Sequence, residues 1–313
     1  MELVVSKVRQ EADSILSFEL RQATGESLPA YEPGSHISVM LPASGGVLEE
    51  RHYSLISDPA DLSTYQIAVL GEADGRGGSE YMHRRVSEGS LLEVSGPSNN
   101  FKLVPNSTHS ILIAGGIGVT PLLSLLRQLQ AQRSSFEMHY AGKTAARMAL
   151  RETIRELAGE SVAFYESQEG KRLQLSHILA NPKAGSHVYV CGPGRLIAAV
   201  LETAANFGWL PKQIHFESFG PRWEPDDKPL RVELAQSGIE LEVRVGQTIL
   251  AAVEAAGVWT PSECRRGECA MCVATVVEGD VVHRDHCLKP EEQLNAMCIC
   301  VSWSKSRKLV LDL

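Results

Sequence analysis

Three cysteines near the end of the 313-residue chain are spaced in a way that few folds accommodate. They form the pattern C-x4-C-x2-C at Cys264, Cys269 and Cys272. A fourth thiol follows at Cys298 or Cys300, and spacing does not choose between these two because residues two apart in a strand point to the same side. Cysteines at these intervals bind plant-type [2Fe-2S] clusters, in which each of two irons needs two thiolates. We therefore predict an iron–sulfur centre.

Zinc is the main alternative for these cysteines. Structural zinc sites usually combine C-x2-C pairs, and here only Cys269 and Cys272 have that spacing. Gly267 suits an iron–sulfur loop, because a backbone without a Cβ can adopt a positive φ and fold closely around an inorganic core. We interpret the two remaining cysteines, Cys191 and Cys287, as packing residues or incidental thiols.

The composition is that of an ordinary globular protein, with 43% hydrophobic and 22% charged residues. A formal net charge of −8 argues against nucleic-acid binding. No apolar run reaches the roughly 18 residues that a membrane span needs. The N-terminal sequence MELVVSKVRQEADS lacks a signal-peptide core, so we expect a cytoplasmic protein. The length predicts roughly two or three domains.

The first hundred residues have the pattern of a small antiparallel barrel. Short alternating segments such as HISVML and TYQIAVL are separated by turn residues such as YEPGS and LPASGG. Two stretches in this region are candidates for ligand contacts. One predicted strand carries Arg51, His52, Tyr53 and Ser54. A Gly-rich stretch before a predicted helix comprises Asp74, Gly75, Arg76, Gly77, Gly78 and Ser79.

Together these two stretches suit a flavin nucleotide. Arg51 and Tyr53 share one face of the strand, which places a cation beside a flat aromatic ring. Free amides that follow glycines at the start of a helix favour an anion such as phosphate. Taken singly, the strand is more often an ordinary barrel strand, and the Gly-rich stretch is more often a turn with a serine cap. Their combination in one barrel favours the flavin.

From His109 onwards the chain alternates apolar strands with helices. Segments such as SILIAGG and HVYVCG predict a parallel sheet with helices on both faces. Nucleotides bind such sheets at the carboxyl ends of the strands. Two strand-to-helix turns lie at these ends, one with Gly115, Gly116 and Gly118 and the other with Cys191, Gly192 and Pro193. Neither is a G-x-G-x-x-G fingerprint, and one such turn alone is more often only a tight connection. With two such turns in one sheet, contacts to the two ends of one nucleotide are an interpretation equal to that of two tight connections.

The last third of the chain predicts a compact α+β domain. It begins with GPRWEPDDKP, a Pro- and Asp-rich stretch that we interpret as a linker. A hairpin pattern in LRVELAQSG and IELEVRVGQT follows, then a helical TILAAVEAAG before the cysteine loop. Strands return in VATVVEGDVV and KLVLDL.

Six motifs in this order resemble the phthalate dioxygenase reductase family, which includes vanillate O-demethylase reductases and serves two-component Rieske oxygenases. They are RHYS at 51–54, GRGGS at 75–79, GGIGVTP at 115–121, CGP at 191–193, HFESFG at 215–220 and the cysteine set. The resemblance implies a flavin-binding antiparallel β-barrel over residues 1–104 and an α/β ferredoxin-reductase-type NAD(H) domain over 105–222. A linker over 223–229 and a β-grasp plant-type ferredoxin domain over 230–313 complete the implied fold.

The resemblance also implies roles for individual residues. Flavin contacts are assigned to Arg51 near the phosphate, Tyr53 against the ring system, His52, Ser54 and the phosphate loop of Arg76, Gly77, Gly78 and Ser79. Nucleotide contacts are assigned to Gly115, Gly116, Gly118, Cys191, Gly192 and Pro193. Thr120, Cys191 and Phe219 are assigned to the catalytic centre, where they position the reacting rings rather than transfer protons. The implied cluster ligands are Cys264, Cys269, Cys272 and Cys300, so the family pattern selects Cys300 over Cys298.

By the same resemblance, electrons pass from NADH through FMN to the [2Fe-2S] cluster and on to a terminal oxygenase. FAD is the alternative flavin. NADPH is the alternative nucleotide, because the cations of Lys143 and Arg147 suit a 2′-phosphate. We expect a monomer with no nucleic-acid or membrane partner. The alternative functions are a reductase for a monooxygenase outside the Rieske type and a flavin and iron–sulfur redox sensor.

Two features depart from the family pattern. Trp303 stands where the family usually has arginine, and Arg265 with Arg266 makes the cysteine loop more basic. We expect both features to lie where a partner protein docks.

Overall fold

The computed structural model describes residues 1–42, 48–72, 77–221, 223–224 and 226–313. The chain divides into two compact units, Met1–Glu217 and Ser218–Leu313. Among the helices in the described residues, none combines the length and apolarity that a bilayer crossing requires.

The first unit begins with an antiparallel barrel. Its elements are β1 (Glu2–Ala12), β2 (Ile15–Arg21), β3 (His36–Pro42), β4 (Leu48–Ser54), β5 (Tyr65–Leu70), α1 (Gly78–Arg85) and β6 (Leu91–Ser98). The strand order is β4-β3-β6-β1-β2-β5. A bridge between Leu55 and Ile67 joins the two edges, and Ile56 N donates to Gln66 O at 2.8 Å. Alternate apolar side chains fill the interior, so the predicted barrel is confirmed.

A five-stranded parallel sheet follows in the same unit. Its strands are β7 (His109–Gly115), β8 (Phe136–Gly142), β9 (Val162–Glu166), β10 (Ser186–Cys191) and β11 (Ile214–Glu217). Its helices are α2 (Val119–Ala131), α3 (Arg151–Ala158), α4 (Leu175–Ile178) and α5 (Gly194–Asn206). Short 3₁₀ turns span Gly116–Gly118, Ala145–Arg147, Gly159–Ser161, Ser167–Glu169 and Pro211–Gln213.

The order of this sheet, β11-β10-β7-β8-β9, determines where a ligand can bind. From β7 the chain moves outward to β8 and β9, then returns to β10 on the other side of β7. All neighbouring strands are parallel. Helices α2 and α3 pack on one face and α5 on the other, which confirms the predicted layers. The strand order reverses between β7 and β10, and open α/β sheets bind ligands beyond the carboxyl ends at such a point.

The second unit has a mixed sheet with one helix packed on it. Its elements are β12 (Leu230–Leu234), β13 (Ile239–Val243), α6 (Ile249–Ala255), β14 (Val273–Glu278), β15 (Val281–Val282), α7 (Pro290–Gln293), β16 (Ala296–Cys298), β17 (Trp303–Ser304) and β18 (Lys308–Leu311). The sheet order is β13-β12-β18-β14-β16, with β12 and β18 parallel. Thr248 caps α6 by accepting a bond from Ala251 N at 3.0 Å. The predicted α+β arrangement is confirmed.

The segment interpreted as a linker packs on the second unit. Trp223 stacks on Trp303 with ring centroids 6.1 Å apart, and Trp303 Nε1 donates to Lys228 O at 3.2 Å. Asp227 pairs with Arg284 at 2.5 Å, and both side chains are largely buried. Trp303 is buried too, so the expectation that this position faces a partner protein is wrong. The indole is held inside the unit because its ring and its N–H both have partners there.

A partly buried aromatic stack crosses β10 and β11 in the first unit. The rings of Tyr189 and His215 stack with centroids 4.7 Å apart, and His187 Nδ1 lies 3.0 Å from His215 Nε2. Burial lowers the pKa of His215 to about 4, and the nearby His187 adds to the effect. The folded protein therefore favours the neutral imidazole at this position.

Replacing His215 with Gln should flatten the acid side of the stability profile. Between pH 6.5, the ordinary pKa of histidine, and about 4, the unfolded chain binds a proton at His215 while the folded chain does not. This difference makes the wild-type protein lose stability as the pH falls through that window. Urea denaturation at several pH values measures the slope. The exposed His177 serves as control through His177→Gln, and equal slopes in both variants would contradict the prediction.

Candidate cofactor sites

The four cysteines assigned as cluster ligands lie together in the second unit. Side-chain hydrogen bonds join Cys264 to Cys269 and Cys272 to Cys300. Cys264, Cys272 and Cys300 are buried, and Cys269 is half-buried. A set of four closely placed thiols is the donor set that a [2Fe-2S] cluster needs, so these residues fit the group.

The loop that carries three of these cysteines folds with its amides turned inward. The N–H groups of Arg266 and Glu268 both lie 3.4 Å from Cys264 Sγ and donate to it. Gly267 has a φ of +75°, and a Cβ there would lie 2.6 Å from Val301 Cγ2. The predicted need for glycine at this position is thus a matter of both conformation and space. Inward amides stabilise sulfur that carries negative charge.

The sulfur contacts also determine which thiol gives up its proton most readily. The thiols of Cys298 and Cys300 donate to Cys272 and lower the pKa of that residue to about 3. Donation to Cys272 and burial raise the pKa of Cys300. Burial likewise raises the pKa of Cys264. These contacts favour the thiolate form of Cys272.

Cys298 and Cys300 differ in their surroundings although both reach Cys272. Cys298 ends β16 and lies with its Sγ 3.5 Å from Cys287 Sγ. Cys300 follows the strand and accepts a hydrogen bond from the backbone of Gly267. Cys300 thus has a backbone hydrogen bond from the cysteine loop in addition to its contact with Cys272. Sequence reasoning treated Cys287 as incidental and missed its contact with Cys298, because neither spacing nor periodicity relates a loop residue to a strand end.

A second loop, which contains Asp285 and His286, packs against the cysteine loop. Asp285 accepts from Ser302 Oγ through Oδ1 and from Leu288 N through Oδ2, both at 3.1 Å. The next residue, His286, donates from its N–H to Gly267 O at 2.9 Å. Asp285 holds the loop beside the cysteine loop, and the sequence reasoning did not single it out. Its only sequence signal is a charged residue in the otherwise unremarkable stretch HRDH.

The two arginines of the cysteine loop have different environments. Arg265 is half exposed and forms an ion pair with Glu254 at 2.6 Å. Arg266 is only 6% exposed and lies 3.6 Å from Glu268. The expectation that both arginines face a partner is therefore wrong for Arg266. Exposed apolar side chains near the cysteine loop include Met271, at 49%, and Trp259, at 84%.

In the first unit, the flavin residues assigned from the sequence lie on β4 and at the start of α1. A Cβ on Gly78 would lie 2.9 Å from Arg51 Nε, so the guanidinium lies directly against the helix start. Gly77 precedes the helix with a φ of 88°. Arg51 Nη1 pairs with Glu49 at 2.7 Å, while Nη2 is buried and lacks a hydrogen-bond partner among the described residues. A buried donor beside free helix amides fits a phosphate group.

The other described residues of the predicted flavin set lie on β4 and α1. Tyr53 is half-buried against the barrel core, and Ser54 is buried. His52 stacks on His36 with ring centroids 5.0 Å apart. Ser79 Oγ accepts from Glu72 N at 3.2 Å, which connects Glu72 to the start of α1. Arg76, with its neighbours 73–75, lies outside the described residues.

The two glycine turns of the nucleotide region pack backbone against backbone. A Cβ on Gly118 would lie 2.4 Å from the carbonyl carbon and oxygen of Cys191. A Cβ on Gly192 would lie 2.9 Å from Gly115 Cα, and one on Gly115 would lie 2.8 Å from Pro193 Cδ. The structure thus brings together, at the ends of β7 and β10, the two turns that the sequence suggested for one ligand.

The three residues assigned to the catalytic centre fall into both units. Thr120 is buried at the start of α2 and donates from Oγ1 to Ile117 O at 3.0 Å. Cys191 is fully buried at the end of β10. Phe219 lies in the second unit and is 40% exposed. Its position over a flavin stays a prediction.

A contact that the sequence did not reveal joins the barrel to the parallel sheet. Ser124 in α2 accepts from Gly34 N at 2.8 Å and donates to Pro121 O at 2.9 Å. A Cβ on Gly34 would lie 2.1 Å from Phe101 O. The loop before β3 is therefore fixed to the helix that starts at the glycine turn.

Two family models match parts of the chain. Residues 232–303 match the family described as 2Fe-2S iron-sulfur cluster binding domain. Residues 97–214 match the family described as dimethylamine monooxygenase subunit DmmA-like, N-terminal domain.

Individual relatives match along the whole chain. The beta subunit of a heme-dependent oxidative N-demethylase from Ectopseudomonas mendocina (strain ymp) is 37% identical, over 100% of this chain and 99% of its own. The phthalate 4,5-dioxygenase oxygenase reductase subunit of Pseudomonas putida is 38% identical, over 96% of this chain and 93% of its own.

A solved structure, phthalate dioxygenase reductase, superposes with a TM-score of 0.79 at 34% identity, covering 100% of this chain and 98% of that one. It is described as a modular structure for electron transfer from pyridine nucleotides to [2Fe-2S]. With a flavin-type barrel, a parallel nucleotide-binding sheet and a four-cysteine ferredoxin fold in the same order, the chain belongs to the phthalate dioxygenase reductase family.

Proposed function

We propose that this protein is the reductase component of an oxygenase system, which carries electrons from NADH through FMN and a [2Fe-2S] cluster to a terminal oxygenase of the Rieske type. The observation that carries the proposal is the convergence of Cys264, Cys269, Cys272 and Cys300 in a chain that also contains a nucleotide-type sheet. A pyridine nucleotide gives up two electrons as a hydride and the cluster takes one at a time, a mismatch that a bound flavin bridges.

In the proposed cluster site, Cys264 and Cys269 would bind one iron and Cys272 and Cys300 would bind the other. The pairing is supported by the side-chain hydrogen bonds within each pair. The inward amides of Arg266 and Glu268 offset the negative charge on sulfur. Hydrogen bonds to ligand sulfurs are one of the means by which a protein raises a cluster's reduction potential.

In the proposed flavin site, Tyr53 contacts the ring system and Arg51 joins the α1 amides around the phosphate. The buried Nη2 of Arg51, which lacks a hydrogen-bond partner in the part of the chain that the structure describes, supports a phosphate at this position. Arg76, Gly77, Gly78 and Ser79 complete the proposed phosphate loop. We favour FMN over FAD because the family with a C-terminal ferredoxin domain uses FMN.

In the proposed nucleotide site, the turns at Gly115–Gly118 and Cys191–Pro193 let the dinucleotide approach the backbone. Thr120, Cys191 and Phe219 position the nicotinamide for hydride transfer, a step for which near-attack geometry matters more than an acid or base. We favour NADH over NADPH. The cations of Lys143 and Arg147 are exposed, as ordinary solvated charges in a turn are.

One relative supports a second candidate acceptor. The similar chain from E. mendocina is named as part of a heme-dependent demethylase, so an acceptor that is not of the Rieske type is the alternative. Mixing the reduced protein with a purified Rieske oxygenase and with a heme oxygenase distinguishes the two, because only the true partner turns over substrate.

The proposed function predicts the behaviour of the purified protein. It should be coloured, release FMN on denaturation and contain two irons per chain, because the four cysteines bind two irons. Under anaerobic conditions NADH should bleach the cluster absorbance, and NADPH should bleach it much more slowly. A protein that contains zinc in place of iron, or whose cluster absorbance NADH leaves unchanged, would refute the proposal.

Replacing Cys300 with Ser should remove the cluster and leave flavin reduction by NADH intact, because the proposed cluster site and the proposed flavin site lie in separate compact units. Iron content and visible spectra measure the first effect, and stopped-flow absorbance measures the second. Cys298→Ser is the matched control and should keep its iron. The reverse result, with iron lost only in the control, would assign the fourth ligand to Cys298.

Replacing Gly118 with Ala should impair use of the nucleotide, since the added methyl group would clash with the Cys191 backbone and separate the two turns. We expect the KM for NADH to rise at least about tenfold, equivalent to about 1.4 kcal/mol. Gly96→Ala, where a Cβ meets no atom within 4 Å, is the control. Unchanged KM in Gly118→Ala would argue against this turn as the nucleotide site.

A further inference from the structure

The sulfur atoms of Cys287 and Cys298 form a pair that the proposed cluster does not use. They lie 3.5 Å apart, in van der Waals contact. Cys298 is fully buried at the end of β16, whereas Cys287 is partly exposed in the loop that follows β15. Cys287 is therefore the more accessible residue of the pair.

A metal site is the first alternative for this pair. The Oδ atoms of Asp285 lie within 4.8 Å of both sulfurs, which gives three potential ligands. Both carboxylate oxygens already accept hydrogen bonds, from Ser302 Oγ and Leu288 N. Asp285 is thus committed to holding its loop, and the two sulfurs remain as the reactive groups.

We propose that Cys287 and Cys298 form a reversible disulfide when the protein meets a hydroperoxide such as hydrogen peroxide. The accessible Cys287 sulfur attacks the peroxide O–O bond, giving a sulfenic acid and one water. The Cys298 sulfur then attacks the Cys287 sulfur and displaces its hydroxyl as a second water, which closes the S–S bond. The two thiols lose two electrons and two protons in total, and the peroxide accepts them.

The local geometry makes this closure a small movement. A disulfide has an S–S distance near 2.05 Å, so the sulfurs must approach by about 1.5 Å. Cys287 lies in a loop, which adjusts more easily than the strand that holds Cys298. In proteins of reducing compartments, disulfides of this kind are usually transient and redox-sensing.

Closing the disulfide changes the environment of a cluster ligand. Cys298 donates its S–H to the Cys272 sulfur. The disulfide has no S–H, so Cys272 loses a donor when the pair is oxidised. Loss of a hydrogen bond at a ligand sulfur lowers the reduction potential of an iron–sulfur cluster. The pair thereby links exposure to peroxide with the energy of the electron that leaves the protein.

The test treats the holoprotein with hydrogen peroxide, blocks free thiols with an alkylating reagent under denaturing conditions and maps the peptides by mass spectrometry. We expect a Cys287–Cys298 cross-linked peptide that dithiothreitol resolves, with the iron content unchanged. Cys287→Ser should form no cross-link and leave Cys298 alkylated, whereas Cys191→Ser, which removes a cysteine outside the pair, should still form the Cys287–Cys298 cross-link. Potentiometry should give a lower cluster potential for the oxidised protein than for the reduced protein.

Three results would overturn the inference. One is free alkylation of both thiols after peroxide treatment. Another is a cross-link between assigned ligand cysteines with loss of iron, which would mean that oxidation acts on the cluster itself. The last is an equal cluster potential before and after cross-linking, which would remove the link to Cys272. Peptide mapping does not depend on electron transfer to an oxygenase, so failure of the proposed function leaves its outcome readable.

Discussion

Four thiols held close together in a largely buried place are the constraint on which the second unit depends. Burial of such groups disfavours their charged form, yet a metal centre requires thiolates. The chain meets this requirement with backbone rather than with positive side chains. Amides of Arg266 and Glu268 point at Cys264, and Gly267 lets the loop turn tightly enough to present them. The arginines themselves pair with Glu254 and Glu268 instead.

The first unit depends on a different kind of close approach. At Gly118 and Gly192 the backbones of two strand-to-helix turns touch, and no side chain fits between them. This contact fixes the carboxyl ends of β7 and β10 relative to each other. It leaves main-chain amides, rather than flexible side chains, to form the wall of the proposed nucleotide site.

Much of this architecture could be predicted from local sequence patterns. Alternation predicted the barrel, apolar runs before helices predicted the parallel sheet, and cysteine spacing predicted the ferredoxin-type unit. These features are encoded within short windows, because strand and helix periodicities repeat over a few residues. The positions of the two glycine turns were predictable for the same reason.

The rest depends on tertiary contacts that no window contains. Arg266 looks like a surface cation in sequence, and its burial beside Glu268 follows only from how the loop folds. Trp303 is held by Trp223, eighty residues earlier in the chain. The Cys287–Cys298 contact and the Ser124–Gly34 bond likewise join a loop to a distant element. The roles proposed for Tyr53, Thr120 and Phe219 concern bound ligands and remain predictions.

The bond from Gly34 to Ser124 is one of the contacts that join the barrel to the parallel sheet. Barrel residues Ile15, Ile56 and Phe101 share one apolar core with Leu122 and Leu126 of α2. The barrel and the sheet therefore share one close-packed core, so a change in the packing of one alters the packing of the other. Passing a hydride demands ring-to-ring alignment to within fractions of an ångström, whereas passing a single electron tolerates more slack. The barrel and the sheet, which serve hydride transfer, therefore share a core. The cluster domain, which serves single-electron transfer, is a separate compact unit.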